Sequence, residues 1–295
     1  MNPTAQKIKR ITESIISLPT LPTVVSKMIQ LVDNPKTSAA SLARLIYTDQ
    51  ALTARILKLA NSAYYGFPRE IATVNIAIVV LGFNTVKEMG LSLSVLEVFK
   101  GGGNDAAFDV SRFWQHSIAC GSASRMIARR FRRHLSGEAF VAGLLHDIGK
   151  VVLRQYMQGE FAAIIERATR EAGTLDEIEK ETVGATHSQI GAWLAEKWNL
   201  PRIIVDSINY HHAPWEAKQD AVLDAIVSVS NYLCHLCRIG NSGRVNPLRP
   251  DARTWDIFRT ASLSLDEIDL IELQTEFLLE FDKTESVLSF MSEDL

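Results

Sequence analysis

The chain has 295 residues, 47% of them hydrophobic, which is enough to bury a sizeable core and fold without staples. Its 31 basic residues against 34 acidic ones leave a net charge of -3, without the basic excess of a dedicated nucleic-acid binder. Three cysteines are too few for a disulfide framework and fit a reducing cytoplasm.

The first 18 residues mix polar and apolar side chains (Gln6, Lys7, Lys9, Arg10, Glu13) and lack the continuous apolar core of a secretion signal. Helical periodicity then runs almost throughout, with no convincing strict alternation, so the expected fold class is all-α with two packed helical subdomains. Residues 22–33, 38–62 and 74–99 read as successive amphipathic helices. Pro22 suits a first helical turn, and Asn34-Pro35 makes a natural stop. The longest apolar stretch, Ile71 to Phe83, is interrupted by Thr73, Asn75 and Gly82 and is too short to span a bilayer. A break at Gly101, Gly102, Gly103, Asn104 and Asp105 sets the expected boundary. That gives an N-terminal subdomain over 1–100, a linker over 101–107, a helical domain over 108–240, and a loop and C-terminal helix over 241–295 packing on it.

In the second half, helices are expected over about 109–134 and 137–156. Thr186 and Gln189 form a capping-box pattern that starts another, ending near Leu200. Pro201 opens a short helix through His212, and 219–238 is apolar on most faces, as a buried helix is. Gly240, Asn241, Gly243, Pro247 and Pro250 mark a loop, and a last amphipathic stretch runs to about 291. Cys234 and Cys237 form a lone C-x-x-C on one helical face. With Cys120 distant in sequence and no further ligands at zinc spacing, core packing is favoured over ligation. Arg125, Arg129, Arg132 and Arg133 form a stripe, joined by Arg130. It reads as a solvated face, or as a contact for an anionic partner.

Five of the seven histidines fall in an ordered series: His116, His146-Asp147, His187, His211-His212. His116 continues the row of Cys120, Ala123 and Ile127; Asp147 extends Phe140, Leu144 and Val151. His187 shares a face with Ile190, Leu194 and Trp198, and His211 follows Ile204 and Ile208. These polar groups therefore lie on apolar, core-facing stripes. A buried carboxylate is costly unless paired or bound to a cation. For any single histidine a local hydrogen bond suffices, with Asp147 capping a backbone amide. For the whole set a shared metal centre is the simpler account. Imidazole and carboxylate suit iron, manganese, nickel or zinc, as one ion or two.

The series resembles the HD superfamily pattern H…HD…H…HH…D, and Gly143-Leu144-Leu145-His146-Asp147-Ile148-Gly149-Lys150 is similar to its signature turn. The likeness to two-metal HD-GYP proteins implies that Asp147 bridges the ions. His116 and His146 would serve one ion, and His187, His211 and His212 the other. Lys150 matches a lysine that approaches a substrate phosphate there; the plain alternative is a solvated lysine beside a glycine turn. Two departures stand out. The last motif aspartate is Asn231, which offers a carbonyl oxygen without charge. His212 is followed by Ala213-Pro214-Trp215 rather than a GYP-type motif, which removes the ground for cyclic-dinucleotide hydrolysis.

The first hundred residues resemble the HDOD family more closely still. Its blocks are Leu18-Pro19-Thr20-Leu21-Pro22, Ile46-Tyr47-Thr48-Asp49-Gln50-Ala51-Leu52 and Leu59-Ala60-Asn61-Ser62-Ala63-Tyr64-Tyr65-Gly66. Phe113-Trp114-Gln115-His116-Ser117 and Tyr210-His211-His212-Ala213-Pro214 also fit, so the likeness covers roughly 15–240. Asn61 to Gly66 reads either as a binding site or as a helix end whose polar side chains satisfy the backbone. The resemblance implies an HD-like C-terminal bundle and a stand-alone, non-catalytic bacterial signalling module with protein partners. It would retain an HD-type metal centre. The alternative is a metal-dependent phosphohydrolase, in which an ion activates water toward phosphorus.

Overall fold

The structure, a computed structural model, describes residues 23–30, 38–61, 69–99, 108–171, 174–241, 249–263 and 269–281, with isolated positions between these runs. Every regular element among the described residues is a helix, in agreement with the 3.6-residue periodicity. The Gly101–Asp105 break, Pro22, Asn34-Pro35, Ser62 to Tyr64, Gly66 and residues 282–291 lie outside the described residues.

The N-terminal helices are α1 (Thr23–Gln30), α2 (Ala39–Ile46), α3 (Gln50–Ala60), α4 (Val74–Leu81) and α5 (Phe83–Val98). Two of the expected long helices are each divided. Within 38–62, Asp49 leaves the helix and its carboxylate accepts the Leu52 amide at 2.9 Å, starting α3 afresh. The Thr53 hydroxyl donates to the Ile46 carbonyl at 3.0 Å and satisfies the end of α2. Within 74–99, Gly82 takes φ 91, a conformation that a side chain would strain, and α5 begins at once. Asn61 closes the segment after α3. Its amide donates to the Ile71 carbonyl at 2.9 Å and its oxygen accepts the Ile71 amide at 2.7 Å. The Asn61 side-chain amide also donates to the Leu57 carbonyl at 2.8 Å in the last turn of α3, the kind of helix-end contact read from the sequence.

The second half comprises α6 (Val110–Phe131), a 3-10 turn (Arg133–Leu135), α7 (Ser136–Leu145), α8 (Ile148–Tyr156), α9 (Gln158–Arg170), α10 (Leu175–Val183), α11 (His187–Lys197), α12 (Arg202–Tyr210), a 3-10 turn (Pro214–Glu216), α13 (Ala221–Leu236) and α14 (Ala252–Thr260). A last helix, α15, spans Leu270–Phe281. The helices group into two compact units. One holds α1–α5 with the end of α15; the other holds α6–α14 with its start.

In the second unit α6 is the central rod. Phe113, Trp114, Ile118, Ala123 and Ile127 are all buried, as a helix apolar on most faces demands. Burying each large side chain contributes about 1.5–3 kcal/mol. The helix packs chiefly on α7 and α13. No described helix is long and apolar enough to cross a membrane.

Among the polar groups buried in this unit are two further aspartates. Asp224, in the first turn of α13, and Asp206, on α12, are each 1% exposed. Arg202 Nε lies 3.0 Å from Asp206 Oδ1, and Ser207 lies beside Asp224.

Candidate metal centre

The expected helix over 137–156 is broken at its middle, and the break makes the site. His146 and Asp147 form a kink between α7 and α8, with Asp147 at φ -101, ψ 9. The Asp147 side chain caps no backbone amide, so the capping role weighed from the sequence is not the one it has. A Cβ on Gly149 would overlap the His187 carbonyl, and one on Gly191 would sit 3.2 Å from the Gly149 nitrogen. Glycine at both positions lets α8 and α11 touch backbone to backbone. That contact sets Asp147 beside the first residue of α11. The Thr186 hydroxyl accepts the Gln189 amide at 3.2 Å and the Gln189 side-chain oxygen accepts the Thr186 amide at 3.0 Å, the capping box read from the sequence.

His116, His146, Asp147, His187 and His211 are all fully buried. The Nε2 atoms of His187 and His211 lie 3.1 and 3.7 Å from Asp147 Oδ1, and that of His146 lies 3.3 Å from Oδ2. Their other nitrogens are tied outward. His146 Nδ1 donates to the Gly143 carbonyl at 2.7 Å, His211 Nδ1 to the Ile208 carbonyl at 2.8 Å, and His187 Nδ1 to Glu179 Oε2 at 2.7 Å. Carbonyl and carboxylate oxygens only accept, so each ring carries its proton on Nδ1 and, when neutral, turns an Nε2 lone pair toward Asp147. His211 Nε2 is buried there without a hydrogen-bond partner, a cost that a bound cation would remove.

The remaining predicted residues join from the edges. His212 Nε2 lies 3.2 Å from His187 Nε2. His116 Nε2 meets Asn231 Oδ1 at 3.0 Å across the bundle. Lys150 is 1% exposed, with Nζ 2.7 Å from Asp147 Oδ2, so it is not the solvated lysine of the plain alternative. The sequence reading missed Glu179, whose oxygen accepts from His187, and Asp176, 3.9 Å from His212. It also missed His235, whose ring lies 4.6 Å from that of His116. His235 was within reach of helical spacing, four residues after Asn231; the two acids had no spacing signal.

The charges are strongly coupled. Burial pushes the Asp147 carboxyl up, but His146 and Lys150 outweigh it and hold the group well below the usual carboxylate range. Burial pushes His146 down, yet Asp147 and Cys120 together raise it to about 10. Burial, then the neighbouring His146, keeps His211 low; burial, then His235, keeps His116 low. His187 is raised in spite of its burial, chiefly by Glu179.

The donor set fits a metal. Asp147, His187, His211 and His212 each offer an atom within 4.8 Å of the others, and so do His116, His146 and Asp147. Bonds of about 2.0–2.2 Å put neighbouring ligand atoms about 3 Å apart. Nitrogen with carboxylate oxygen suits first-row divalent ions. The buried His/Asp cluster could therefore hold a metal.

The arginine stripe singled out from the sequence contributes no donor to these clusters, whereas Cys120 stands beside His146. Arg125 stacks over the Phe140 ring at 5.5 Å and Arg130 pairs with Glu272 at 3.0 Å. Cys234 is buried beside Cys120, the cysteine far from it in sequence. Cys237 is only half-buried.

Comparison with known proteins decides the family. The sequence profile of the HDOD domain matches residues 18–214. The chain belongs to the HDOD family. An HDOD domain protein of unknown function from Geobacter sulfurreducens shares its fold with a TM-score of 0.78 at 26% identity, covering 96% of both chains. A candidate phosphohydrolase from Shewanella amazonensis SB2B superposes with a TM-score of 0.73 at 23% identity, covering 96% of this chain and 98% of that one. A candidate signal transduction protein from Marinobacter aquaeolei VT8 gives 0.79 at 23% identity, over 98% of this chain and 66% of that one. These last two likenesses bear on the fold alone. An uncharacterized protein of Treponema pallidum (strain Nichols) is 27% identical over 216 residues, 70% of this HDOD chain. The chain spans 41% of the length of that relative.

Proposed function

We propose that this chain is a regulatory HDOD module, non-catalytic, built around an HD-type metal centre. The observation that carries the reading is the convergence of three Nε2 atoms on Asp147, each ring held from behind through Nδ1. His116, His146, Asp147 and Asn231 would hold one ion; Asp147, His187, His211 and His212 would hold the other. Iron is the leading ion, with manganese, nickel and zinc also suited to these donors. The two ions together would tie α6, α7, α11, α12 and α13 to one another through Asp147, a structural role. Two features support a non-catalytic centre. Asn231 brings no charge to its ion, and Lys150, the match to a phosphate-contacting lysine, is engaged with Asp147 inside the core. In this reading the module works in the bacterial cytoplasm through signalling protein partners. Its N-terminal subdomain covers 1–100 and its HD-like domain covers 108–240.

One observation favours a phosphohydrolase instead. His212 and Asp176, at 11% and 25% exposed, give the centre an edge on solvent where a phosphate could arrive. Lys150 would then turn from Asp147 to the phosphate.

The deciding experiment is elemental mass spectrometry on untagged protein, beside an Asp147→Ala variant. Near-stoichiometric metal that disappears in the variant supports the centre, and a phosphoesterase screen of the loaded protein then separates the two readings. Metal in neither preparation, after attempted reloading, leaves a metal-free interaction scaffold.

A further inference from the structure

Helix α10 contributes no residue to the histidine–aspartate series, yet it reaches the centre. Glu179, on its inner face, is fully buried. One of its oxygens, Oε2, accepts two bonds from the same residue: the His187 backbone amide at 2.7 Å and the His187 ring Nδ1–H at 2.7 Å. Helix α10 ends at Gly184 in the left-handed region (φ 90), and the chain turns back so that the start of α11 faces Glu179.

Capping alone does not account for this arrangement. Thr186 and Gln189 already cap α11, and a cap needs no ring contact. A buried carboxylate is costly and persists where charged or strongly polarised donors meet it. Here the donor is an imidazole whose opposite nitrogen lies 3.1 Å from Asp147 Oδ1. The ring is thus held between two carboxylates, Glu179 at its Nδ1 and Asp147 beside its Nε2. A carboxylate behind a ligating histidine fixes its tautomer and raises its basicity.

We infer that Glu179 is a positioning residue of the centre, fixing His187 with its proton on Nδ1 and Nε2 turned to the ion. The inference rests on the proposed metal site for its ligand and on the Glu179–His187 geometry for its mechanism.

The test uses the full chain, 15N-labelled and stripped with a chelator, with zinc(II) alone as a diamagnetic probe. Two-bond proton–nitrogen spectra at pH 8 read which His187 nitrogen carries the proton, and competition with a chromogenic chelator reads zinc affinity. Wild type is expected to show the proton on Nδ1 with and without zinc. Glu179→Gln keeps an accepting oxygen and should hold zinc within a few-fold of wild type. Glu179→Ala should lose about 10–100-fold in affinity and let the His187 proton exchange between nitrogens. A wild-type proton on Nε2, or Glu179→Ala with unchanged zinc affinity, overturns the inference. Should Glu179→Ala not fold, the wild-type and Glu179→Gln spectra decide by the same criterion, a proton on Nε2 overturning it. A wild type with its proton on Nδ1 that takes up no zinc upholds the positioning and sinks the metal reading instead.

Discussion

The ammonium of Lys150 sits 2.7 Å from Asp147 Oδ2, and neither side chain reaches solvent. Breaking a buried pair from one side costs up to about 3–5 kcal/mol, and here His146, 3.3 Å from the same oxygen, remains to offset part of the loss. Lys150→Met should therefore lower the melting temperature of the metal-free protein by several degrees. If Asp147 also binds an ion, loading with zinc supplies the missing positive charge, and the deficit should shrink. Calorimetry of both proteins with and without zinc checks this. A deficit of equal size in both forms would mean that Asp147 does not face the ion.

Asn231 stands where a carboxylate would bring charge to the His116 side of the centre, and its oxygen already lies 3.0 Å from His116 Nε2. Asn231→Asp should raise the bound metal by up to one equivalent, or tighten it at least tenfold where the equivalent is already present. Elemental analysis after dialysis against a weak chelator reads both. An unchanged content and affinity would remove Asn231 from the ligand set.

The contact between α8 and α11 makes a graded prediction. A methyl group on Gly149 meets the His187 backbone, which cannot yield without moving α11. One on Gly191 first meets the Ile208 side chain at 2.9 Å, a group able to shift. Gly149→Ala should cost at least about 3 kcal/mol and displace His187 from Asp147; Gly191→Ala should cost about 1–3 kcal/mol. Urea denaturation orders the two, and the reverse order would contradict the packing described.

Asp224 gives a pH dependence. Burial raises its carboxyl to about 8, with Asp206 and Asp220 adding to the shift and the nearby Ser207 hydroxyl opposing it. In the unfolded chain the group titrates near about 3.9. The folded state holds the extra proton between those values, so its stability is full below about pH 4. It falls as pH rises, by at most about 1.4 kcal/mol per unit, and levels off above about pH 8. Asp224→Asn carries no such proton. The variant should gain stability relative to wild type steadily from pH 5 to 8, as followed by thermal melts. A constant gap across that range would show that Asp224 is ionised in the folded chain.

The all-helical class was legible because apolar residues recur at helical spacing nearly everywhere. The breaks were not, and the reason is local. Gly82 and the His146–Asp147 kink interrupt the backbone over one or two residues, so the 3.6-residue rhythm resumes almost in phase on the far side. The division at Asp49 likewise depends on side-chain bonds from Asp49 and Thr53 that a hydropathy pattern does not register. His116, Asp147, His187 and His211 were found because they interrupt apolar stripes and match a known order. Glu179 escaped both signals. It lies eight residues before His187, across a left-handed turn, and only the path of the chain through Gly184 brings the two together.

The contact between His116 and Asn231 closes 115 residues of chain. Contacts that distant form late, since the entropy of loop closure must be met before they contribute anything. Helices α6 and α7, adjacent in sequence and extensively packed, can pair early and bring His116 near His146. The residues of α11 to α13 arrive afterwards. The centre thus draws on parts of its unit more than a hundred residues apart in the chain. The site is complete only when α6 to α13 have packed, so a ligand bound there would favour the folded form over the unfolded chain.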